Sequence, residues 1–382
     1  MIHNRVLPLL AVGAAAAVAS GGFVAVAPNR LLSGAPIGLF AAADRRLSLA
    51  IIVLGIALLA TALMPPSRTL YRTASLLAAT LLLIVMAVAG EAALSLTATA
   101  PALARVSLGA AFWVLAGAAA LAVIDSLQRA GAGTGERLAI AGIVIAGFAV
   151  MAHSGLFDAL SLAREYRTRE ASFAAALVRH VELVAASVGA ALLIGFPLGI
   201  AASRRPHWQG PVFALLNLLQ TIPSIALFGL LIVPLSALAA AAPFLAALGI
   251  AGIGPAPAII ALILYALLPI VRNTVAGIAG VDPSVVDAAR GTGMTGRQLF
   301  WHVQLPLAAP LLLAGLRIVS VQTIGLAIVA ALIGAGGLGT FVFAGLGQYA
   351  ADLVLLGALP TIALALTADF LLQILTEAAA RR

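Results

Sequence analysis

What most constrains this chain is the recurrence, along its whole length, of uninterrupted apolar runs of roughly 17 to 25 residues, each long enough as a helix to cross a hydrocarbon layer of about 30 Å. Only 9% of its 382 residues are charged, against about a quarter in an ordinary water-soluble chain. A hydrated surface cannot be built over the whole molecule from that composition. Backbone amides in lipid must find their partners within the chain. Runs this long, rich in Leu, Ala and Ile and lacking the alternation of a barrel strand, satisfy that demand as helices. The expected fold is therefore an all-α polytopic membrane protein of about ten transmembrane helices. The spans fall at roughly 7–27, 47–64, 74–90, 108–124, 138–152, 181–202, 212–235, 257–276, 307–333 and 353–375. The first run also has features of a secretory leader, with Arg5 ahead of it and Ala17-Val18-Ala19 resembling a cleavage site. Its continuation through Phe23 to Ala27, with a second run soon after, favours a span.

The net charge of +8 is carried by arginine, because the sequence contains no lysine. The arginines stand singly or in pairs between apolar runs, as loop anchors do. A clustered basic face with interleaved aromatics, which nucleic-acid binding requires, is not present. A cytoplasmic N-terminus places Arg5, Arg68, Arg72, Arg129, Arg137, Arg204, Arg205, Arg272, Arg290, Arg297, Arg381 and Arg382 inside. It leaves Arg30, Arg45, Arg46, Arg105, Arg164, Arg167, Arg169 and Arg179 outside, and Arg317 within a span. The bias is cleanest in the second half, where the outer intervals 236–256 and 334–352 hold no arginine. Both termini are then cytoplasmic.

Several chemistries are excluded. Cysteine is absent, which removes disulfides and thiolate ligands, and His3, His153, His180, His207 and His302 are dispersed without metal-ligand spacing. Gly334-Ala-Gly-Gly-Leu-Gly339 follows a membrane helix, and without lysine no Walker A site exists anywhere in the chain. It reads as a turn at the outer end of a span. No Ser, His and carboxylate set suggests an enzyme, and no cofactor is expected.

The longest polar interval runs from His153 to His180 and separates an N-terminal membrane domain, 1–152, from a second domain, 181–382, with 153–180 as connector. Leu162, Tyr166, Phe173, Leu177 and Val181 are spaced like one face of a connecting helix. No internal repeat relates the two halves, so the inverted-repeat signature of many secondary transporters is not visible.

Within the second domain, the loop 277–306 contains Asp282-Pro-Ser-Val-Val-Asp-Ala-Ala-Arg-Gly-Thr-Gly-Met-Thr-Gly-Arg-Gln-Leu-Phe-Trp-His-Val-Gln-Leu-Pro306. Asp282 is a good N-cap and Pro283 suits the first helical position, so a short helix runs to about Arg290. Gly291 and Gly293 stop it, Thr295 with Gln298 matches a capping box for a second short helix, and Pro306 begins the re-entry into the membrane. Asp287-Ala288-Ala289, then Gly293, then Val303 and Leu305-Pro306 resemble, at their spacing, the EAA signature of ABC-importer permeases. The departures are Asp287 for Glu and Val303 for Ile. The stretches Gly195-Phe-Pro-Leu-Gly-Ile200, Leu219-Gln-Thr-Ile-Pro-Ser-Ile-Ala-Leu-Phe-Gly-Leu230, Tyr265-Ala-Leu-Leu-Pro-Ile-Val-Arg-Asn-Thr274 and Ala331-Leu-Ile-Gly-Ala-Gly-Gly-Leu-Gly339 look like the glycine betaine and choline (osmoprotectant) permeases of that class. The resemblance covers about Glu170 to Gly347.

The resemblance implies a bacterial inner-membrane permease whose 277–306 loop docks on a separate ATPase subunit, so that this chain itself hydrolyses nothing. It further implies an extracytoplasmic substrate-binding protein and a second permease subunit, identical or not, and gives no role to the N-terminal spans. Small Ala288 and Ala289 would permit close approach, Asp287 would meet a basic group, and Gly293 would let the chain turn. Intramembrane polar groups are costly and suggest a pathway, which points to Gln220, Thr221, Pro223 and Ser224 in one span and Gln322 and Thr323 in another. Helix–helix hydrogen bonding would place them equally well. With 5% aromatic residues the chain has little to build the cage that a quaternary ammonium favours, so recognition is expected in the binding protein. The alternatives are a permease of the same class for another small solute such as an amino acid, a secondary transporter with Glu91, Glu182 and Asp369 as an ion relay, and a membrane scaffold without transport.

Overall fold

The computed structural model describes residues 3–380 except 30, 31, 33, 102 and 248. Arg30, Arg381 and Arg382, used above for topology, lie outside the described residues. Backbone contacts divide the chain into two units, Met1–Thr168 and Arg169–Arg382.

The first unit opens with α1 (Val6–Ser20), which ends before the membrane run does: Val24–Ala27 is strand β1. The expectation of one long helix over 7–27 is thereby corrected, and α1, at 15 residues, reaches only about 22 Å. Gly21 and Gly22 break the helical run, and Phe23 to Ala27 alternates into a sheet instead. Strands β2 (Ala35–Ile37) and β3 (Arg105–Leu108) flank β1 on either side, antiparallel, with Val24 opposite Ile37 and Val26 opposite Val106. Then come α2 (Leu39–Ala42), α3 (Arg45–Leu63), α4 (Arg68–Thr99), α5 (Ala110–Arg129), α6 (Thr134–His153) and α7 (Ser161–Thr168). Ser67 caps α4 by accepting from the Leu70 amide at 3.1 Å. The core gathers Phe23, Val24, Val85, Val88, Val106 and Phe112, with Phe23 edge-on to Phe112 at 5.8 Å. Leu160 bridges to Val106, and Arg164 Nη1 donates to the Ala104 carbonyl at 3.0 Å, so the segment leading into α7 is tied to β3.

The connecting helix expected across Leu162 to Val181 is two helices. Arg169 (φ −127°, ψ 20°) leaves the helical region between α7 and α8 (Glu170–Arg204). Leu162 and Tyr166 therefore stand on α7, whereas Phe173, Leu177 and Val181 belong to a membrane span. Similar side-chain spacing on both sides hid a backbone break that propensity does not encode.

The second unit continues with α9 (Pro206–Thr221), α10 (Ser224–Ala241), α11 (Pro243–Ala247), α12 (Pro255–Ala279), α13 (Pro283–Gly291), α14 (Gly296–Leu299), α15 (Leu305–Leu326), α16 (Gly339–Gly347) and α17 (Ala351–Ala380). The span expected over 212–235 is broken at Ile222 (φ −71°, ψ 125°), because Pro223 excludes its predecessor from the helical region. Among the described residues, nine helices are long and apolar enough to cross a membrane, with α14 and α15 counted as one. The central one is α12, 61% buried over its apolar window against 28% for α8. It packs against α8, α9, α10 and α15.

The α8–α12 contact depends on the absence of side chains at two positions. A Cβ at Gly195 would stand 2.9 Å from Ile270 Cγ2, and one at Gly199 only 2.5 Å from Thr274 Cβ. Such small-residue spacing lets helix backbones approach closely in lipid, where no hydrophobic force draws them together. Further out, α15 is joined to α17 by an ion pair within the membrane: Arg317 donates from Nε to Asp369 Oδ1 and from Nη2 to Oδ2 at 2.6 Å.

Two outcomes follow. Gly199→Ala should destabilise the protein by about 1–3 kcal/mol through overpacking, while Gly189→Ala, in the same helix with open space around the new methyl, should be neutral or slightly stabilising. Thermal unfolding in detergent reads both, and equal midpoints would refute the close-approach account. Asp369→Ala, which strands a guanidinium in hydrocarbon, should cost about 3 kcal/mol, whereas Arg317→Met combined with Asp369→Leu should recover most of that loss. A double variant as unstable as the single one would show that the pair is not an isolated electrostatic unit.

Candidate coupling loop and pathway elements

The loop between α12 and α15 is built by its caps. Asp282 Oδ1 accepts from the Ser284 amide at 2.8 Å, which starts α13 and holds that carboxyl below the usual carboxylate range. At the other end the Thr292 amide donates to Ala288 O at 3.1 Å and the Met294 amide to Ala289 O at 3.3 Å. Gly293 takes φ +84°, the left-handed conformation that closes a helix end and that L side chains resist. Thr295 and Gln298 then form the expected capping box: the Gln298 amide donates to Thr295 Oγ1 at 3.3 Å, and the Thr295 amide to Gln298 Oε1 at 2.9 Å.

Beyond the box the expectation fails in one respect. Pro306 does not begin a separate re-entry. Helix α14 runs through a π-helical turn, Phe300–Gln304, directly into α15, giving one rod from Gly296 to Leu326. The wider turn turns Phe300 inward and leaves Trp301 outward, their rings edge-on at 5.3 Å. Phe300 is buried among Ile278, Ala308, Phe196, Ile200 and Leu305, and Arg204 lies over its ring at 5.2 Å. The foot of the loop is thus seated on the ends of α8 and α12. Neither Phe300 nor Arg204 was singled out from the sequence. An aromatic residue directly after a capping box, facing an arginine at the end of another span, was the available signal.

The residues of the motif divide into two sets. Asp287 and Ala288 are exposed, as is Pro306, while Val303 and Leu305 are half-buried. Ala289 is buried and faces the loop's own interior, so close approach from outside is open at Ala288 and not at Ala289. Asp287 meets Arg290 at 3.4 Å, but with side chains 73% and 64% exposed that pair contributes almost nothing and leaves the carboxylate accessible. Val285, Met294 and Trp301 add exposed apolar surface around it.

The broken helix α9–α10 is pinned to α12 by exchanged hydrogen bonds. Pro269 has no N–H, so the Tyr265 carbonyl four residues earlier loses its helical donor. Gln220 Nε2 supplies it at 2.9 Å. In return the Tyr265 hydroxyl donates to the Ile222 carbonyl at the break. Thr221 Oγ1 donates to its own helix at Leu218 O, 2.7 Å. Pro223 is exposed, Ser224 and Gln322 are half-buried, and Thr323 is buried. Tyr265 went unnoticed as a partner, although a proline within α12 marks which carbonyl needs a donor.

The carboxylates named for an ion relay are separated in role. Asp369 is engaged by Arg317, Glu182 by Arg179 at 3.0 Å, and Glu91 is exposed on α4. His180 is fully buried, with Nε2 3.1 Å from the Ile324 carbonyl, beneath the turn in which Gly334, Gly336 and Gly337 all take positive φ.

Two family models match. Residues 4–163 match the N-terminal domain of the ABC transporter permease YehY, and residues 191–381 match the binding-protein-dependent transport system inner membrane component. The carnitine transport permease protein OpuCB of Listeria monocytogenes is 40% identical over 194 residues, 51% of this chain and 82% of that protein. The osmoprotectant import permease protein OsmW of Salmonella typhimurium is 41% identical over 209 residues, 54% of this chain and 92% of that protein. The choline transport system permease protein OpuBB of Bacillus subtilis is 36% identical over 195 residues, 51% of this chain and 82% of that protein. A chain of the inward-facing MetNI methionine ABC transporter overlaps 56% of this chain and 98% of itself, at TM-score 0.48 and 22% identity. With half its length matched by the inner membrane component and its relatives aligned over most of theirs, this chain belongs to the ABC-importer permeases, as a multi-pass transport subunit of the inner membrane and not an enzyme.

Proposed function

We propose that this chain forms the membrane pathway of an ATP-driven importer of quaternary ammonium osmoprotectants of the glycine betaine and choline type. The observation that carries the reading is the loop 277–306. A capped helix presents Asp287 and Ala288 outward, on a foot continuous with the α15 rod. That arrangement suits docking into a groove on a separate ATPase subunit, so that closure of the ATPase pushes α13 and tilts α15. Asp287, Ala288, Gly293, Val303, Leu305 and Pro306 belong to this coupling role, with Ala289 packing beneath. The names carried by the relatives, for carnitine, choline and osmoprotectant transport, support the substrate class. An extracytoplasmic binding protein that supplies the aromatic cage and a second permease subunit complete the system. Both termini lie in the cytoplasm, which puts the coupling loop on the ATPase side. Gln220, Thr221, Pro223, Ser224, Gln322 and Thr323 mark the pathway, the break at Ile222 exposing backbone that only a protein-lined or wet cavity tolerates.

The test is uptake of radiolabelled glycine betaine into proteoliposomes holding this chain, its ATPase and its binding protein, with choline and proline as competitors. Uptake that requires ATP and is competed by choline is the expected result. ATP-dependent uptake of a different solute would remove the substrate class, and uptake without ATP would remove the coupling reading. Gly293→Val forces a β-branched residue to positive φ at a cost of about 1–3 kcal/mol. It should lower ATP-dependent uptake at least about tenfold while the chain still inserts.

A further inference from the structure

We propose that the N-terminal unit holds a membrane phospholipid, with one acyl chain in a groove between α1 and α3 and its phosphate against Arg45 and Arg46. The proposal is independent of the transport reading and concerns only residues of the first unit.

The groove has a volume of ≈ 380 Å³ and is lined wholly by apolar side chains and glycine from α1 to α5. On α1 the lining residues Leu7, Leu10, Ala14 and Val18 recur at helical spacing, so one face of that helix borders the groove along its length. Small residues make the room: Ala15 on α1, Gly55 on α3, and Ala118 and Ala119 on α5. From Leu7 to Ala19 the groove extends about 18 Å at the helical rise, close to the ~15 Å depth of one leaflet of hydrocarbon. One acyl chain fits that length. Left empty, the lining atoms would forfeit dispersion contacts along the whole face.

The shape also sets the direction of entry. At the far end Leu7, Leu58, Ala62 and Ala122 close the groove as a buried cluster. Sideways it opens past Phe40, Ile52 and Ile56, which are 61%, 42% and 62% exposed. The end left open is the start of α3, where Arg45 and Arg46 are exposed and, among the described residues, neither guanidinium has an ion-pair partner. They stand about one and a half turns above Ile51, the distance a headgroup needs above its chain. Asp44, the one carboxylate beside them, is occupied as the cap of α3, accepting from the Arg46 amide at 3.3 Å. An unpartnered arginine pair over a dry groove matches a phosphate joined to a hydrocarbon tail, and no polar group inside the groove would hold a peptide or a hydrophilic solute.

Two measurements test this on the full chain purified in mild detergent from membranes of phosphatidylethanolamine and phosphatidylglycerol. Native mass spectrometry should show one retained phospholipid per chain. Gly55→Leu places a side chain into open space in the groove without clash, and should reduce that occupancy at least fivefold. Arg45→Gln with Arg46→Gln should make the adduct dissociate at lower activation energy. An adduct unchanged in Gly55→Leu, no adduct at all, or an adduct that is not a phospholipid would each overturn the proposal. The second measurement needs no variant: a phospholipid with a diazirine on its acyl chain is photolysed against the unaltered protein after detergent washing. Label should persist at Ala15, Ile52 and Ile56 and be stripped from α6, whose span is only 6% buried and offers no groove. Equal loss from both surfaces would also overturn it.

Discussion

Every backbone amide and carbonyl inside the hydrocarbon must be paired within the protein, and the second unit is organised around the places where that pairing is interrupted. Pro269 removes one donor from α12 and thereby leaves the Tyr265 carbonyl without its helical bond. The protein repairs this from outside the helix, with Gln220, and the repair fixes the position of the broken α9–α10 segment. The Tyr265 hydroxyl then satisfies the carbonyl of Ile222 at that break. Two prolines on different helices are thus resolved by one reciprocal exchange. A polar side chain first suspected of lining a pathway has, in this structure, a backbone to satisfy. That engagement keeps Gln220 at the break and leaves the less occupied Ser224 and Gln322 beside it with free hydrogen-bonding capacity.

How much of this was legible in the sequence depends on what decides each element. Spans decided by hydrocarbon thickness were readable, because twenty apolar residues admit little else. The start and stop of α13 and the Thr295–Gln298 box were readable because caps are local chemistry. Three features were not. Residues 24–27 continue the apolar run of α1 without a change of composition, and they form a strand because β2 and β3, distant in sequence, supply edges to pair with. The break at Arg169 carries no proline or glycine at the position itself. The π-helical turn at Phe300–Gln304 is set by what Phe300 packs against, namely Phe196, Ile200 and Ile278 on other helices. Local signals end where tertiary partners choose between two conformations of similar cost.

The π-helical turn matters for the coupling reading. Had Pro306 begun an independent helix, a push on α13 would be absorbed at a flexible joint. Instead α14, the π turn and α15 are one rod of 31 residues, and Pro306 sits where a missing N–H does least harm, at the second position of α15. Force applied at the loop has a stiff path into the membrane. The seat of Phe300 on the ends of α8 and α12 gives that rod a fulcrum, since Arg204 over the ring adds attraction without the directional lock of a hydrogen bond.

The same rod carries Arg317, and its pair with Asp369 determines what moves with it. A single charge within a membrane helix is expensive, so neither residue tolerates separation from the other while the segment stays in hydrocarbon. The pairing is two-pronged, which restricts rotation of α15 against α17 as well as their separation. Apolar packing alone permits helices to slide by small steps at little cost, because lipid replaces each lost contact. An ion pair does not. A displacement transmitted along α15 therefore takes α17 with it up to the depth of Arg317, and relative motion is confined to contacts of the other kind: the glycine-mediated face between α8 and α12, and the hinge at Ile222 where α9 meets α10.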